Sequence, residues 1–599
     1  MLITLNGSAT PAGSGLTTRD ESVEPRPETV RVDQGRRRDA GVAATETLRK
    51  RADVLPVHVT RYRSSSSPPV WSRRSVLGLL RALPLGSVGG LPGLRVNQLA
   101  PAGRRGTFDL AIDARIREII HRPAFQGSRW GMKFSSLSTG EDLYSMNTEQ
   151  LFVAGSSFKI FPAGTAFSTL GGGHRFRTRV YRTGPVVRGV LKGDLVLVAG
   201  GDLLLGGRIQ RDGTLSLPDP DHTYNAKPLA GDPLRTLRGL AGQVRAREIR
   251  RIEGGVLVDS SLFRQGLEDI FSDGIKAAVS PMMVNDNVVD VSVRPGARVG
   301  APGLVRLSPD VGYVQIANEV TTIAADGVAA ARRLTFTDDV ANPDGTRQVR
   351  LAGDVILGGQ ERFISYHVPE PTRFAEFAFT VALEDAGIGV DAAAGRDRPM
   401  AYDTTRDLVA QHISPPLSEE VKVMLKVSSN VHTVCFPYLV GAIAGEDARK
   451  AKQRGEEFQS RLFQQAGLDP HPPGASDVRY TPDFFLGFLR HMARQRYFRH
   501  FYRALPIMGK DGTLADIQVD SPAAGHVYAK TGTAGTTSPD TGEPLIAKAL
   551  AGYIELPDGS WTAFAAFMEQ QATSPDLLTA AGQALGEIAT AVYEETSQS

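Results

Sequence analysis

The stretch Leu151-Phe152-Val153-Ala154-Gly155-Ser156-Ser157-Phe158-Lys159 decides how this chain folds and what it does. An apolar lead-in ends at a glycine, and Ser-x-x-Lys then opens a segment whose spacing predicts a helix over 158–170. Positions i and i+3 share a helix face, so the Lys159 amine can reach the Ser156 hydroxyl. A serine at a helix start also sits near free backbone N–H groups and the positive end of the helix dipole. That makes a nucleophile with a base one turn away. The plain alternative is an N-cap serine followed by a surface lysine, and the four residues alone do not choose. Pro162, inside the predicted helix, removes one backbone hydrogen bond and predicts a kink.

Upstream, Phe108 to His121 has helical spacing, and Arg129 to Leu137 with Asp142 to Met146 reads as a hairpin turning at Ser138-Thr139-Gly140-Glu141. Downstream, 178–405 is dominated by strand-like runs such as Gly193 to Val198, Ile252 to Val258 and Val288 to Val293, with helical segments at Pro233 to Arg245 and Arg373 to Ala386. This predicts one or two β-rich modules of ordinary domain size. Residues 417–445, 455–466 and 481–496 read as helices. Apolar strands Leu545 to Glu555 and Trp561 to Glu569 are joined through Pro557-Asp558-Gly559, and an amphipathic helix over about 577–594 is expected to pack on the sheet they form.

The 599 residues are 41% hydrophobic and 22% charged, as in a globular protein with two to four domains. The single cysteine, Cys435, excludes an intramolecular disulfide, a cysteine-cluster metal site and a lipid-anchored cysteine near the N-terminus. It lies on an apolar helical stretch and reads as a core residue. No apolar run is clean enough for a membrane span. The net charge of +3 is uneven. Residues 1–70 carry 11 bases and 8 acids and read as disordered, or as never translated if the start codon lies further on. Residues 71–105 carry 6 arginines and no acid. The remainder is therefore mildly acidic, which argues against nucleic-acid binding. Trp71-Ser72-Arg73-Arg74-Ser75-Val76-Leu77-Gly78, the apolar run to Leu94 and Ala100-Pro101-Ala102 read as a twin-arginine export signal over 71–102, or otherwise as a basic helix interrupted by Arg81.

Two further motifs follow Ser156 in order: Ser428-Ser429-Asn430, in a predicted helical stretch that also carries Lys426, and Lys530-Thr531-Gly532 leading into Thr533. Ser-x-x-Lys, Ser-x-Asn and Lys-Thr-Gly in this order resemble the signature of penicillin-binding proteins and serine β-lactamases. The chemistry accounts for the set. Acyl transfer needs a deprotonated serine, and Lys159 can take the proton if burial and nearby cations, Lys530 or Lys426, lower its pKa. Backbone amides of Ser156 and Thr533 can hold the oxyanion. Ser428 can relay a proton to the leaving amine, Asn430 can bond a substrate amide, Lys530 and Thr531 can hold a substrate carboxylate, and Gly532 lets the substrate backbone lie along the strand edge. No metal or cofactor is needed, and the histidines show no ligand cluster.

Over 107–597 the chain closely resembles the D-alanyl-D-alanine carboxypeptidase/endopeptidase family, the class C low-molecular-mass penicillin-binding proteins. Leu170-Gly171, Phe176-Arg177-Thr178, Leu195 to Asp202, Val284-Asn285-Asp286-Asn287, Ser414-Pro415-Pro416-Leu417, Leu505 to Leu514 and Ala551-Gly552-Tyr553 match its segments. Ser156 and Ser428 lie 272 positions apart, matching domains that the family inserts there. The resemblance implies an α+β fold. A transpeptidase-like domain, with a five-stranded antiparallel sheet flanked by helices, is split into 107–180 and 406–597 by the β-rich insertion 181–405. The sequence departs from the family at Ser429, where Asp is usual, at Leu425 before Lys426, at the missing acid in Val431-His432-Thr433-Val434, at Pro162, and in the longer loop 534–545.

The expected activity is a D-Ala-D-Ala carboxypeptidase, with endopeptidase action on cross-links, working on peptidoglycan stem peptides in the periplasm or envelope of a bacterium. β-Lactams are expected as covalent inhibitors, with no membrane span once the signal is removed. The alternatives are an esterase, β-lactamase or D-amino-acid peptidase on the same fold, and a degenerate peptidoglycan-binding scaffold. Asp511-Gly512-Thr513 is read as a structural turn and His432 as a bystander to catalysis.

Overall fold

The computed structural model describes residues 102–598 apart from 211, 219–220, 225–226, 271–275, 392–399, 446, 538–541, 543, 572–573 and 575. The expected leader 1–70 and all but the last residue of the expected export signal 71–102 lie outside the described residues.

The strand Trp561–Gln571 shows why a sheet forms here. Successive side chains point to opposite faces. Ala563, Ala565 and Phe567 enter one core, while Phe564, Ala566 and Met568 enter another. Both faces are therefore covered, and the strand lies inside the sheet. The five strands run in the spatial order Asp142–Met146, Arg129–Ser136, Trp561–Gln571, Pro544–Glu555, Val527–Thr537, every neighbour antiparallel. The pairing of Trp130 with Met568 joins an N-terminal strand to the last strand of the chain, which closes one domain from two distant segments. This is the expected α+β, five-stranded antiparallel architecture.

One face is covered by Ala102–Ile120 and the C-terminal helix Leu577–Gln598, whose Ile112, Ile116, Ala581, Ile588 and Val592 are buried with Phe134, Leu550 and Phe564. The predicted packing of the C-terminal helix on the sheet is what occurs. The other face carries small residues, Ala549, Ala551, Ala563 and Ala565, and these let an aromatic cluster sit close. Phe161 lies at its centre, 4.9–5.6 Å between ring centroids from Phe463, Tyr480, Phe484, Phe485 and Phe488. Burying that one ring is worth about 1.5–3 kcal/mol. It pins the helix that follows Ser156 against the domain.

Between the two segments lies a second core. Strands Leu408–Ile413, Arg177–Arg182, Leu195–Val198 and Val256–Asp259 form one sheet, packed with helices Arg235–Ala246 and Pro371–Asp385. Arg177–Arg182, which straddles the expected boundary at 180/181, pairs with Leu408–Ile413, which begins just after the expected boundary at 405/406. A smaller module encloses Val291, Val293, Val320, Leu351 and Val355.

Two local expectations change. The segment 158–170 is a 3-10 turn, Gly155–Lys159, followed by an α-helix, Ile160–Leu170. Pro162 therefore falls in the first α-helical turn, where its missing N–H costs least. The segment 417–445 is two helices, Leu417–Lys426 and Asn430–Ala444, broken at Val427-Ser428-Ser429. Ser428 is thus not helical. It takes φ +63, a left-handed conformation rare for a residue with a side chain, and the Ser429 hydroxyl caps the second helix by accepting the His432 N–H at 3.4 Å.

Candidate active site

The nucleophile turn docks on the outer edge of the strand Val527–Thr537 because glycines allow backbone to meet backbone. A Cβ on Gly532 would stand 2.0 Å from the Ala154 carbonyl oxygen, and one on Gly155, at φ +49, would stand 2.7 Å from the Thr533 nitrogen. The Thr533 amide is thereby set against Gly155, the residue before Ser156. Gly532 thus permits this turn-to-strand contact. Gly532→Ala is expected to push the strand off the turn and slow acylation about a hundredfold, measured as the rate of penicillin labelling.

Lys159 is 1% exposed. Its amine donates to the Ser428 carbonyl at 2.5 Å, to Asn430 Oδ1, and contacts Ser428 Oγ at 3.3 Å. Burial, and then the positive charge of Lys530, hold its pKa well below the ordinary ammonium value, with Asp221 opposing. A neutral amine keeps two N–H bonds for Ser428 O and Asn430 Oδ1 and one lone pair for a proton. Lys530, also buried, donates to Ser428 Oγ at 2.9 Å and to the Thr531 carbonyl at 2.9 Å. The Ser428 hydroxyl therefore lies between the two lysines, a position from which a proton can pass. Asn430 also donates through Nδ2 to the Ile270 carbonyl at 2.6 Å. Thr531 Oγ1 bonds Thr513 Oγ1 at 2.7 Å, and Lys548 donates to Thr533 Oγ1 at 2.9 Å.

Lys426, one of two cations considered for lowering the Lys159 pKa, is engaged elsewhere. It binds Asp511 at 2.7 and 2.8 Å and the Leu505 carbonyl at 2.7 Å. Asp511 also accepts the Ile507 N–H at 2.9 Å, so the Asp511-Gly512-Thr513 turn is structural, as read. Cys435 is fully buried, and burial pushes its thiol up to about 12. That leaves it inert.

Sequence reasoning missed a buried ionic cluster behind the Ser-x-Asn turn. Arg208 bonds Asp221 and Asp286, His222 Nε2 lies 2.7 Å from Asp286 and Nδ1 3.2 Å from Asp290, and His432 Nε2 lies 3.1 Å from Asp286. The Asn285-Asp286-Asn287 run holds left-handed backbone throughout (φ 49–53) to aim Asp286 inward. The motif was visible, but its partners Arg208, Asp221 and His222 had no pattern to betray them. Asp221, His222 and Asp286 present ligand atoms close enough for a metal ion, but the Arg208 guanidinium already pairs with both carboxylates and His222 with Asp286.

Both ring nitrogens of His222 face carboxylates, so the ring is an imidazolium. Burial opposes the charge, and Asp286 and Asp290 outweigh it, pushing the pKa up to about 10 from 6.5. The stability His222 contributes is complete below about pH 6.5 and is lost as pH rises through about 10. The stability gap between wild type and His222→Gln, from urea melts, is expected to narrow from pH 7 to 10, by at most about 1.4 kcal/mol per pH unit.

The fold brings Lys159, Ser428, Asn430 and Lys530, from the three motifs of the penicillin-binding-protein and serine β-lactamase signature, into one site. The chain belongs to the D-Ala-D-Ala carboxypeptidase 3 (S13) family, whose sequence profile matches residues 112–592. It is 28% identical over 511 residues to the D-alanyl-D-alanine carboxypeptidase of Actinomadura sp. (strain R39), covering 81% of this chain and 85% of that protein. The penicillin-sensitive carboxypeptidase A of Dictyostelium discoideum matches at 23% over 265 residues, 42% of this chain and 49% of that one. In fold it is similar to penicillin binding protein 4 from Haemophilus influenzae, with TM-score 0.55 and 19% identity over 80% of this chain and 99% of that one.

Proposed function

We propose that the protein is an exported serine-type D-Ala-D-Ala carboxypeptidase of the bacterial envelope, acting on peptidoglycan stem peptides. The observation that carries this is the buried, deprotonation-prone Lys159 amine joined to Ser428 and Asn430 beside Lys530. In this reading Lys159 takes the Ser156 proton as Ser156 attacks the carbonyl of the penultimate D-Ala. The amides of Ser156 and Thr533 hold the oxyanion. Ser428 passes a proton to the departing amine of the terminal D-Ala, and water then releases the acyl group. Lys530, Thr531 and Thr533 receive the terminal carboxylate, Gly532 lets their strand approach the nucleophile, and Asn430 orients the substrate amide.

β-Lactams acylate the same serine in this reading. The Haemophilus influenzae relative has been solved in complex with a β-lactam, at 18% identity and TM-score 0.56 over 81% of this chain and 99% of that one. Export rests on the twin-arginine pattern at 71–78. No helix among the described residues is long and apolar enough to cross a membrane.

The test is D-Ala release from a pentapeptide ending in D-Ala-D-Ala, beside an L-Ala-L-Ala control, a simple ester and a β-lactam. Release confined to the D,D-peptide supports the reading. Faster turnover of ester or lactam would make the protein an esterase or β-lactamase, and neither turnover nor labelling would leave a scaffold. Release from cross-linked dimers decides the endopeptidase activity.

A further inference from the structure

We infer that Tyr224, which belongs to the inserted block, is a positioning residue for the Ser-x-Asn turn. Its hydroxyl ties Ser428 to Asn430 and keeps Ser428 aimed between the two lysines. The inference rests on the acyl-transfer reading above and extends it to a residue outside the three motifs.

The turn has a structural problem to solve. Ser428 holds a left-handed backbone that a side chain disfavours, and such a conformation persists only where its surroundings enforce it. Asn430 opens the next helix, and its N–H is among those with no partner inside the helix. The Ser429 side chain caps the His432 N–H instead. The Tyr224 oxygen accepts the Asn430 N–H at 2.5 Å and donates its own proton to the Ser428 carbonyl at 3.1 Å. One atom thus bridges the two ends of the turn. The carbonyl it holds is the one that receives the Lys159 amine, so the tyrosine also fixes where Lys159 finds its acceptor. Burial first, and Asp221 second, keep the phenol well above its ordinary pKa, so it stays a donor.

Tyr224 is itself held firmly. It ends the short turn His222–Tyr224, where the Asp221 carbonyl accepts the Tyr224 N–H at 2.9 Å and the Asp221 carboxylate accepts the Thr223 N–H at 3.1 Å. His222 is anchored between Asp286 and Asp290, and Asp221 by Arg208. Asp286 reaches the same helix a second time through His432. The inserted block therefore grips the Ser-x-Asn helix at its first residue and again two residues later. It acts as part of the catalytic scaffold.

The experiment is acylation of full-length wild type and Tyr224→Phe by fluorescent penicillin, followed before steady state over a range of penicillin concentrations. Tyr224→Phe is expected to label to full stoichiometry at Ser156, with the acylation rate constant at saturation about tenfold or more below wild type and the penicillin dissociation constant unchanged. Partial unfolding would lower only the amplitude, so the rate constant of the labelled fraction reads positioning even in a destabilised variant. An unchanged rate constant, with or without lost amplitude, would overturn the inference while leaving the acyl-enzyme intact. Wild type that does not label at Ser156 would overturn the acyl-enzyme reading itself.

Discussion

Ser156→Ala is expected to abolish labelling by fluorescent penicillin, with acylation falling about a millionfold, as when the nucleophile of a coupled catalytic set is removed. Two adjacent serines make this specific. Ser157 is fully buried, and its hydroxyl donates to the Ala154 carbonyl at 2.7 Å, a contact within the turn. Ser156 is half-buried and directly follows Gly155, which lies against the Thr533 amide. Ser157→Ala should therefore cost about 1 kcal/mol of stability and retain labelling. Ser156→Ala should retain stability and lose labelling. Gel fluorescence and a thermal melt on the two variants check both halves. Labelling of Ser156→Ala at the wild-type rate would remove Ser156 from the mechanism.

Lys159→Met is expected to slow acylation about 10³-fold, within the range that a positioned general base supplies. The thioether keeps the length of the side chain and the packing of its stem but cannot accept a proton. The pH profile separates this from a structural defect. Burial, and then the charge of Lys530, hold the Lys159 pKa well below the ordinary ammonium value, and the wild-type rate should rise with pH through that lowered pKa. In Lys159→Met that limb should vanish. The variant should also lose about 1–3 kcal/mol, because the Asn430 Oδ1 acceptor is left unpaired beneath the cleft. A variant that keeps the limb would point to another base.

Much of this was legible in local sequence. The three motifs name Ser156, Lys159, Ser428, Asn430 and Lys530 because each needs a fixed side chain at a fixed short spacing, and short spacing is what a sequence displays. The sheet was legible because Trp561–Gln571 and its neighbours alternate between two faces. The helix ends were less so. Pro162 looked like a kink only because the 3-10 turn at Gly155–Lys159 moves the true α-helical start past Lys159.

What the sequence by itself determined was the family, with Ser156 as its candidate nucleophile, since the motifs that carry both are contiguous residues. The tertiary structure decided which lysine stands beside Lys159. Both Lys426 and Lys530 were eligible by charge, and only folding pairs Lys426 with Asp511 and leaves Lys530 against Ser428. It also decided that Ser428 sits in a left-handed turn between helices rather than within one. And it brought Tyr224, 204 positions away, to the Ser428 carbonyl. Contacts across such separations arise from how two cores pack together, and no local period or propensity records them.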